Sequence, residues 1–429
     1  MKRDSLIKRL KALLLTYGLV LFIRSANALF IYSLTISYNI STHIQGFIQG
    51  SYSLTEGFSG FLSGFLYERL GLTRTLIVAS ALLTISYAAS LMIYGSSISP
   101  TTLIYPQIVA GFAASLIIVS SIALVSEETY MISFRGRLFG SGGLEISNLL
   151  GYAAGFLIAG LIEFFSPGLV RGFMLSLAMA STGLVIALIL SREVKHTDRY
   201  VARFGVKEIY YIEKRSLYLV PMWFGVSIIL GVAFISVKIF RELISKGSMT
   251  MLQEITPHGH GGGLSVAMLI AVALLAIGIL VGSYLSSVSG RTRSLLIGSI
   301  ATPVALVSLG YFVSEFIKRG VSIKIYEILY SPDLVLSGFV MILAASLALM
   351  LPPSLLALLA EFTDIKRVRG PSSGVYVSTL GIGIFLGNIV GGYIFDLYGL
   401  VVLTLVLSAI FTPLGLLTYL LVRRVYRGE

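Results

Sequence analysis

The chain has 429 residues, of which 56% are hydrophobic and 12% are charged, and its formal net charge is +12. Soluble domains carry about 25% charged residues, so this composition excludes a soluble globular protein, a disordered chain, a collagen and a small disulfide-linked protein. Lipid is therefore the expected solvent for most of the surface. The chain contains no cysteine, which also excludes disulfides, thiolate metal sites and cysteine nucleophiles.

Twelve apolar segments are long enough to cross a membrane as helices, since one span needs about 20 residues. They cover residues 11–37, 44–66, 73–95, 101–125, 138–162, 171–191, 217–239, 264–286, 294–315, 333–357, 374–395 and 400–422. Most lysines and arginines fall in alternate connections, which predicts that both chain ends are cytoplasmic. The sequence thus predicts an all-α, multi-pass protein of the cell membrane, whose positive charge marks a cytoplasmic face and not a nucleic-acid-binding surface.

The two halves of the chain resemble each other around the end of the fourth and tenth spans. Arg135-Gly136 recurs as Arg369-Gly370, and Glu127 recurs as Glu361 at the same offset. Such a repeat predicts two six-helix bundles related by an axis along the membrane normal. We expect an N-terminal bundle over residues 1–190, a basic cytoplasmic linker over 191–216 and a C-terminal bundle over 217–429.

Glycines four residues apart occur in the second, fifth, eighth and eleventh predicted spans. Small residues at this spacing allow two helices to approach closely in lipid. The pattern predicts that these four helices form the tight seam between the two bundles.

The second span also carries a polar stripe on one helical face, because its polar residues recur at steps of three and four. The stripe consists of Gln45, Gln49, Tyr52, Glu56, Ser59 and Ser63. A shorter stripe in the fifth span consists of Ser141, Glu145, Asn148 and Tyr152. We expect both stripes to face the protein interior, with Gln49, Tyr52 and Asn148 as candidate cavity residues.

Three ionisable residues lie deep inside predicted spans. Arg24, Glu56 and Glu145 are about 20, 18 and 12 Å along their helices from the cytoplasmic ends. Charges at such depth are costly and indicate function. In one interpretation Arg24 binds an anionic group of a substrate, and Glu56 or Glu145 exchanges a proton. In the other, Arg24 pairs with one of these glutamates and only fixes the packing.

The loop after the second span reads Gly64-Phe-Leu-Tyr-Glu68-Arg69-Leu-Gly71-Leu-Thr-Arg74. It resembles the G-x-L-x-D-R-x-G-R-[KR] loop of the major facilitator superfamily, with Glu68 in place of the aspartate. The equivalent loop after the eighth span has lost the acid. The resemblance implies a central cavity between two bundles, rocking alternating access, a monomer, and a gating role for Gly64, Glu68, Arg69, Gly71 and Arg74.

Further charged residues lie at the cytoplasmic ends of helices. Glu127, Glu128 and Glu361 are expected to form latch contacts with nearby basic residues, among them Arg135 and Arg369. The sequence His258-Gly-His260 lacks a neighbouring carboxylate or cysteine, so we interpret it as a polar loop and expect no bound metal.

These features predict a secondary transporter that moves a small solute by alternating access, coupled to protons. An organic anion is the expected substrate if Arg24 is available, whereas efflux of hydrophobic or cationic compounds is favoured if a glutamate neutralises Arg24. A non-transporting sensor or scaffold with the same fold is the alternative from another class. No Walker sequence occurs, and the spans contain no histidine. We therefore expect no enzymatic activity and no cofactor, with the substrate, protons and the lipid bilayer as partners.

Overall fold

The computed structural model describes residues 3–38, 42–96, 98–129, 134–165, 170–194, 214–245, 277–318, 331–364 and 369–427, and the structural statements below concern these residues. Their regular structure is helical throughout. The N-terminal half contains α1 (Arg3–Ser37), α2 (Thr42–Leu70), α3 (Leu72–Gly95), α4 (Ile104–Glu128), α5 (Phe134–Phe165) and α6 (Val170–Glu193). The C-terminal half contains α7 (Val220–Ser245), α8 (Ile277–Ser289), α9 (Arg291–Lys318), α10 (Pro332–Ala348), α11 (Leu351–Asp364) and α12 (Arg369–Arg427).

The twelve predicted spans are all represented by helices. Ten helical stretches of the described chain are long and apolar enough to cross a membrane. Two others complete the set: α2, whose polar stripe makes it less apolar, and α8, the described part of the eighth span. The tenth span consists of α10 and α11, and α12 contains the last two spans with a break at Gly399, where φ is 76°. The prediction of an all-α fold with two six-span halves is confirmed.

The two halves meet along α2 and the first part of α12. A methyl group added at Gly60 would lie 2.6 Å from the carbonyl oxygen of Gly374, and one added at Gly57 would lie 2.7 Å from the backbone nitrogen of Ile382. The backbones therefore touch because glycine supplies the space. The seam prediction is confirmed for the second span. The eleventh span also lies at the seam, but through Gly374 and Gly381, whereas its spaced glycines Gly383, Gly387 and Gly391 pack against α7 of their own half.

The spaced glycines of the fifth and eighth spans pack within their own half. These two helices nevertheless meet across the boundary at another glycine, because a methyl group added at Gly142 of α5 would lie 2.8 Å from Ser283 Oγ of α8. Gly151 and Gly155 of α5 lie against α1, and Gly278 and Gly282 of α8 lie against Leu349. The spacing shows that a helix can be approached closely, but it carries no information about which neighbour makes the approach. Another helix of the same half satisfies the same requirement.

Alanine substitutions in α2 should distinguish a glycine that contacts α12 from a glycine with open space around it. Gly60→Ala is expected to lower the free energy of unfolding by about 1–3 kcal/mol, because the added methyl group overpacks the contact with α12. Gly46→Ala in the same helix is the matched control, since nothing lies within 4 Å of a methyl group there. Alanine should favour that helix by up to about 1 kcal/mol. Thermal unfolding of both purified variants tests this, and equal shifts would contradict the seam.

The halves also share one apolar core, on the side where both chain ends lie. It contains Val20, Ile118 and Ile122 of the N-terminal half and Leu355 and Leu358 of the C-terminal half. Residues near both ends of the chain, such as Leu13 and Val425, pack against the same core. We call this the terminal side and the opposite one the far side. The two halves are thus packed together on the terminal side.

Candidate functional site

The centre of the N-terminal half contains a buried ion pair between α1 and α2. Arg24 and Glu56 are each 2% exposed. The Arg24 guanidinium donates from Nη2 to Glu56 Oε1 at 2.8 Å and from Nη1 to Glu56 Oε2 at 3.2 Å. Of the two arrangements left open by the sequence, the structure contains the paired one.

Three further side chains close around the Arg24 guanidinium. Its Nε donates to Asn148 Oδ1 at 2.7 Å, and its Nη1 also lies 3.1 Å from Tyr52 Oη and 3.2 Å from Tyr152 Oη. The guanidinium carbon lies 5.4 Å from the centre of the Tyr152 ring. Three of the five other predicted cavity residues therefore bind Arg24 directly: Tyr52, Glu56 and Asn148.

Glycines on the neighbouring helices make this site possible. Gly151 of α5 leaves room for the Arg24 side chain, since a methyl group there would lie 2.7 Å from Arg24 Cβ. Gly111 of α4 packs against the carbonyl of Tyr52. The spacing of glycines does not identify Gly111, because it has no second glycine four residues away.

Glu145 lies on the boundary between the halves. It is 8% exposed, and Tyr376 of α12 donates a hydrogen bond to its Oε1 at 2.9 Å. The Tyr376 ring packs edge-on against Trp223 of α7, with ring centres 4.3 Å apart. Trp223 was not predicted to be functional, since a lone tryptophan in an apolar span resembles any other core residue. The feature that distinguishes it from other core residues is its indole N–H, which has no hydrogen-bond acceptor in the described part of the protein.

Asn148 connects the two parts of the site. Its carbonyl oxygen accepts from Arg24 at 2.7 Å, and it lies one helical turn after Glu145 in α5. The polar groups of the site thus extend from Glu56 through Arg24 and Asn148 to Glu145 and Tyr376. They start inside the N-terminal half and end on the C-terminal half.

Of the two glutamates in the central site, Glu56 forms the salt bridge with Arg24, with Nη2 and Oε1 2.8 Å apart. Glu145 lies within the electrostatic influence of Arg24 without forming a salt bridge to it, and its hydrogen bond comes from the Tyr376 hydroxyl. With both carboxylates ionised, the central site carries one positive and two negative charges.

Gln49, the remaining predicted cavity residue, is buried at 8% exposure but does not reach Arg24. In the gating motif, Gly71 joins α2 to α3 with a φ of 79°, a conformation that favours glycine. Gly64 is buried and Glu68 is half-buried, whereas Arg69 and Arg74 are exposed. The Arg69 guanidinium lies 5.0 Å from the centre of the Phe65 ring. The gating role of this loop stays a prediction.

The proposed latch is only partly visible. Glu128 pairs with Arg9 at 3.6 Å, a partner that the sequence analysis did not consider. Glu127 and Glu361 are half-buried at helix ends on the terminal side. The side chains of Arg135 and Arg369, the histidines His258 and His260, and most of the expected linker lie outside the described residues. No group of three or more metal-ligating side chains occurs among the residues that are described.

Comparisons with known proteins agree with this architecture. The sequence matches the family model of the Major Facilitator Superfamily over residues 13–348. The fold is similar to that of the human organic anion transporter MFSD10 (TETRAN), with a TM-score of 0.66 and 13% identity over 96% of this chain and 99% of that one. It is also similar to the proton:xylose symporter XylE bound to 6-bromo-6-deoxy-D-glucose, with a TM-score of 0.65 and 14% identity over 98% and 95% of the two chains. A search of curated proteins gives no significant match.

Proposed function

This chain belongs to the major facilitator superfamily and is a multi-pass secondary transporter, and we propose that it exchanges a hydrophobic or cationic compound for protons across the cell membrane. One observation carries the choice of substrate class: the guanidinium of Arg24 is closed off by Glu56, Asn148, Tyr52 and Tyr152. An anionic substrate would have to displace a bidentate carboxylate from a side chain that is 2% exposed.

The charges of the central site favour a cation. Two carboxylates and one guanidinium leave one negative charge when all three are ionised, and that charge resides at Glu145. A buried carboxylate without a cationic partner is unfavourable, so either a proton or a positively charged substrate group would stabilise it. Both would bind the same oxygen atoms.

The aromatic side chains beside Glu145 suit a hydrophobic substrate. Trp223 and Tyr376 pack against each other within a core shared by both halves. Aromatic faces attract cations, most strongly in a site from which water is excluded. A carboxylate next to a tryptophan and a tyrosine therefore matches a compound with an apolar body and one positive charge.

Competition for Glu145 provides a coupling mechanism. A proton on Glu145 neutralises it and weakens the attraction for a cation, whereas a bound cation disfavours protonation. Glu145 belongs to the N-terminal half and Tyr376 to the C-terminal half, so relative movement of the halves changes the environment of the carboxylate. Alternating access would then release a proton on one side and the substrate on the other.

Flux through reconstituted protein tests the proposal. Liposomes containing the purified full-length chain should transport ethidium when a pH gradient is imposed, and collapse of the gradient with a protonophore should stop that transport. The midpoint temperature of thermal unfolding should also rise when ethidium is added, since a ligand at 100 times its dissociation constant stabilises a protein by about 2.7 kcal/mol. Protein-free liposomes are the control, and transport that ignores the pH gradient would contradict proton coupling.

An organic anion is the second candidate, because protonation of Glu56 would leave Arg24 as an unpaired cation. The human neighbour described as an organic anion transporter has this fold. The same assay with benzoate separates the two classes: stabilisation and flux with benzoate but not with ethidium would assign the anion to Arg24. If neither solute is transported or stabilises the protein, a sensor or scaffold role is favoured. We further propose that the terminal side faces the cytoplasm and that the protein acts as a monomer.

A further inference from the structure

Several buried polar atoms of the N-terminal half have no hydrogen-bond partner among the described residues, and four of them belong to amide or phenol side chains, whereas others are serine hydroxyls. These four atoms are Asn27 Oδ1, Gln49 Nε2, Tyr87 Oη and Gln107 Nε2. These side chains are 3%, 8%, 1% and 1% exposed, respectively. Buried polar groups are nearly always paired with protein or with ordered water. The amide and phenol groups on α1, α2, α3 and α4 can be explained together if their positions in the fold agree.

Two of the four side chains lie beside the Arg24–Glu56 ion pair. Asn27 is almost one turn beyond Arg24 in α1, toward the far side, and its side chain hydrogen-bonds to Tyr152. Tyr87 of α3 interacts electrostatically with Tyr152, Arg24 and Glu56. Its ring packs against Phe30 of α1, with ring centres 6.1 Å apart. Both side chains thus point into the interior of the N-terminal half.

The two glutamines are displaced from the ion pair in the same direction. The helices α2 and α4 run parallel, since Gly111 packs on the carbonyl of Tyr52 and Ser115 accepts a hydrogen bond from Ser63 at 2.9 Å. Gln107 lies about one turn before Gly111, and Gln49 lies about one turn before Tyr52. All four atoms therefore lie between the depth of Glu56 and the far side of the protein.

The chemistry of the four atoms indicates their ligand. The set contains two amide donors, one amide acceptor and one hydroxyl group, which can do either. A metal cation uses acceptors only, and a simple anion uses donors only. Water donates and accepts, and a buried water typically makes about three hydrogen bonds to such groups.

We propose that Asn27, Gln49, Tyr87 and Gln107 form a hydration site that holds ordered water between the Arg24–Glu56 pair and the far side of the membrane. The water satisfies the four polar atoms and brings exchangeable protons next to Glu56. This site is separate from the boundary between the halves, where Glu145 meets Tyr376. It does not depend on which substrate the protein transports.

Radiolytic labelling tests the hydration site directly. Water bound inside a protein forms hydroxyl radicals in an X-ray beam, and these radicals oxidise the nearest side chain. Brief irradiation of the full-length protein should oxidise Tyr87, although this side chain is 1% exposed, and mass spectrometry detects the product. Phe411 is the control and should stay unmodified, because it is also 1% exposed but lies in an apolar core. Labelling of Tyr87 no greater than that of Phe411 would overturn the proposal.

The stability of two variants provides a second readout. If water binds these atoms, Tyr87→Phe and Gln107→Leu remove hydrogen bonds, and each should lower the midpoint of thermal unfolding by about 2 °C. If the atoms have no partner, removing them relieves an unfavourable burial and the midpoint should rise. Tyr398→Phe is the control, because Tyr398 is 64% exposed. A rise in both buried variants relative to this control would overturn the proposal.

Discussion

Arg24→Ala is expected to destabilise the protein by about 3–5 kcal/mol, the cost typical of breaking a buried ion pair from one side. The variant would leave the Glu56 carboxylate at 2% exposure without its bidentate partner. It would also remove the donor that Asn148 and the two tyrosines accept from. Denaturant or thermal unfolding of the purified protein in detergent measures the loss.

The double variant Arg24→Met with Glu56→Met is the informative control. Replacing both charges by apolar side chains of similar length removes the uncompensated charge, so much of the stability should return. Transport, in contrast, should stay absent if the pair also serves the proton cycle. If Arg24→Ala alone stays within about 1 kcal/mol of the parent protein, the pair is far less important than its burial indicates.

Glu145→Gln is expected to reduce proton-driven flux to the level of protein-free liposomes. Glutamine retains the size of the side chain and an oxygen that can accept the Tyr376 hydrogen bond, so the fold should survive. It cannot bind a proton or attract a cation. The proposed exchange of a proton for a cationic substrate at residue 145 is therefore impossible in this variant. The measurement is ethidium flux under a pH gradient.

A matched variant separates this function from packing. Tyr376→Phe removes the hydrogen bond to Glu145 but retains the carboxylate and the contact with Trp223. Its flux should fall less than that of Glu145→Gln and should remain dependent on the pH gradient. Normal pH-dependent transport by Glu145→Gln would refute the assignment of the proton to this residue.

The sequence indicated which charged residues are buried, but not how they combine. Arg24, Glu56 and Glu145 were identifiable because a charge in an apolar span is rare. Whether Arg24 pairs with Glu56 or Glu145 depends on the rotation and separation of α1, α2 and α5, which the spacing of residues within one helix does not determine. The spaced glycines had the same limitation: they marked close approaches, but only those of α2 lie at the boundary between the halves, whereas those of α5, α8 and α12 pack within their own half.

Contacts between the halves were the hardest to predict. Tyr376 and Glu145 are far apart in the chain and on different halves, and the repeat relates the halves without aligning these two residues. Trp223 resembles an ordinary core residue until its neighbours are known. Conversely, the number and approximate positions of the spans followed from hydropathy, because the thickness of the bilayer fixes the length of each span. The division of the tenth span into α10 and α11 did not follow from it.

The polar character of α2 has a consequence for how the chain enters the membrane during synthesis. An isolated α1 carries Arg24 near its middle, and a central arginine opposes insertion by about 2.5–3.5 kcal/mol. The helix that neutralises it is the next one to be made, and only a few residues separate Ser37 from Thr42. The first two helices can therefore partition into lipid as one charge-compensated hairpin, and the contact that later forms the centre of the transporter first acts as an aid to its own insertion.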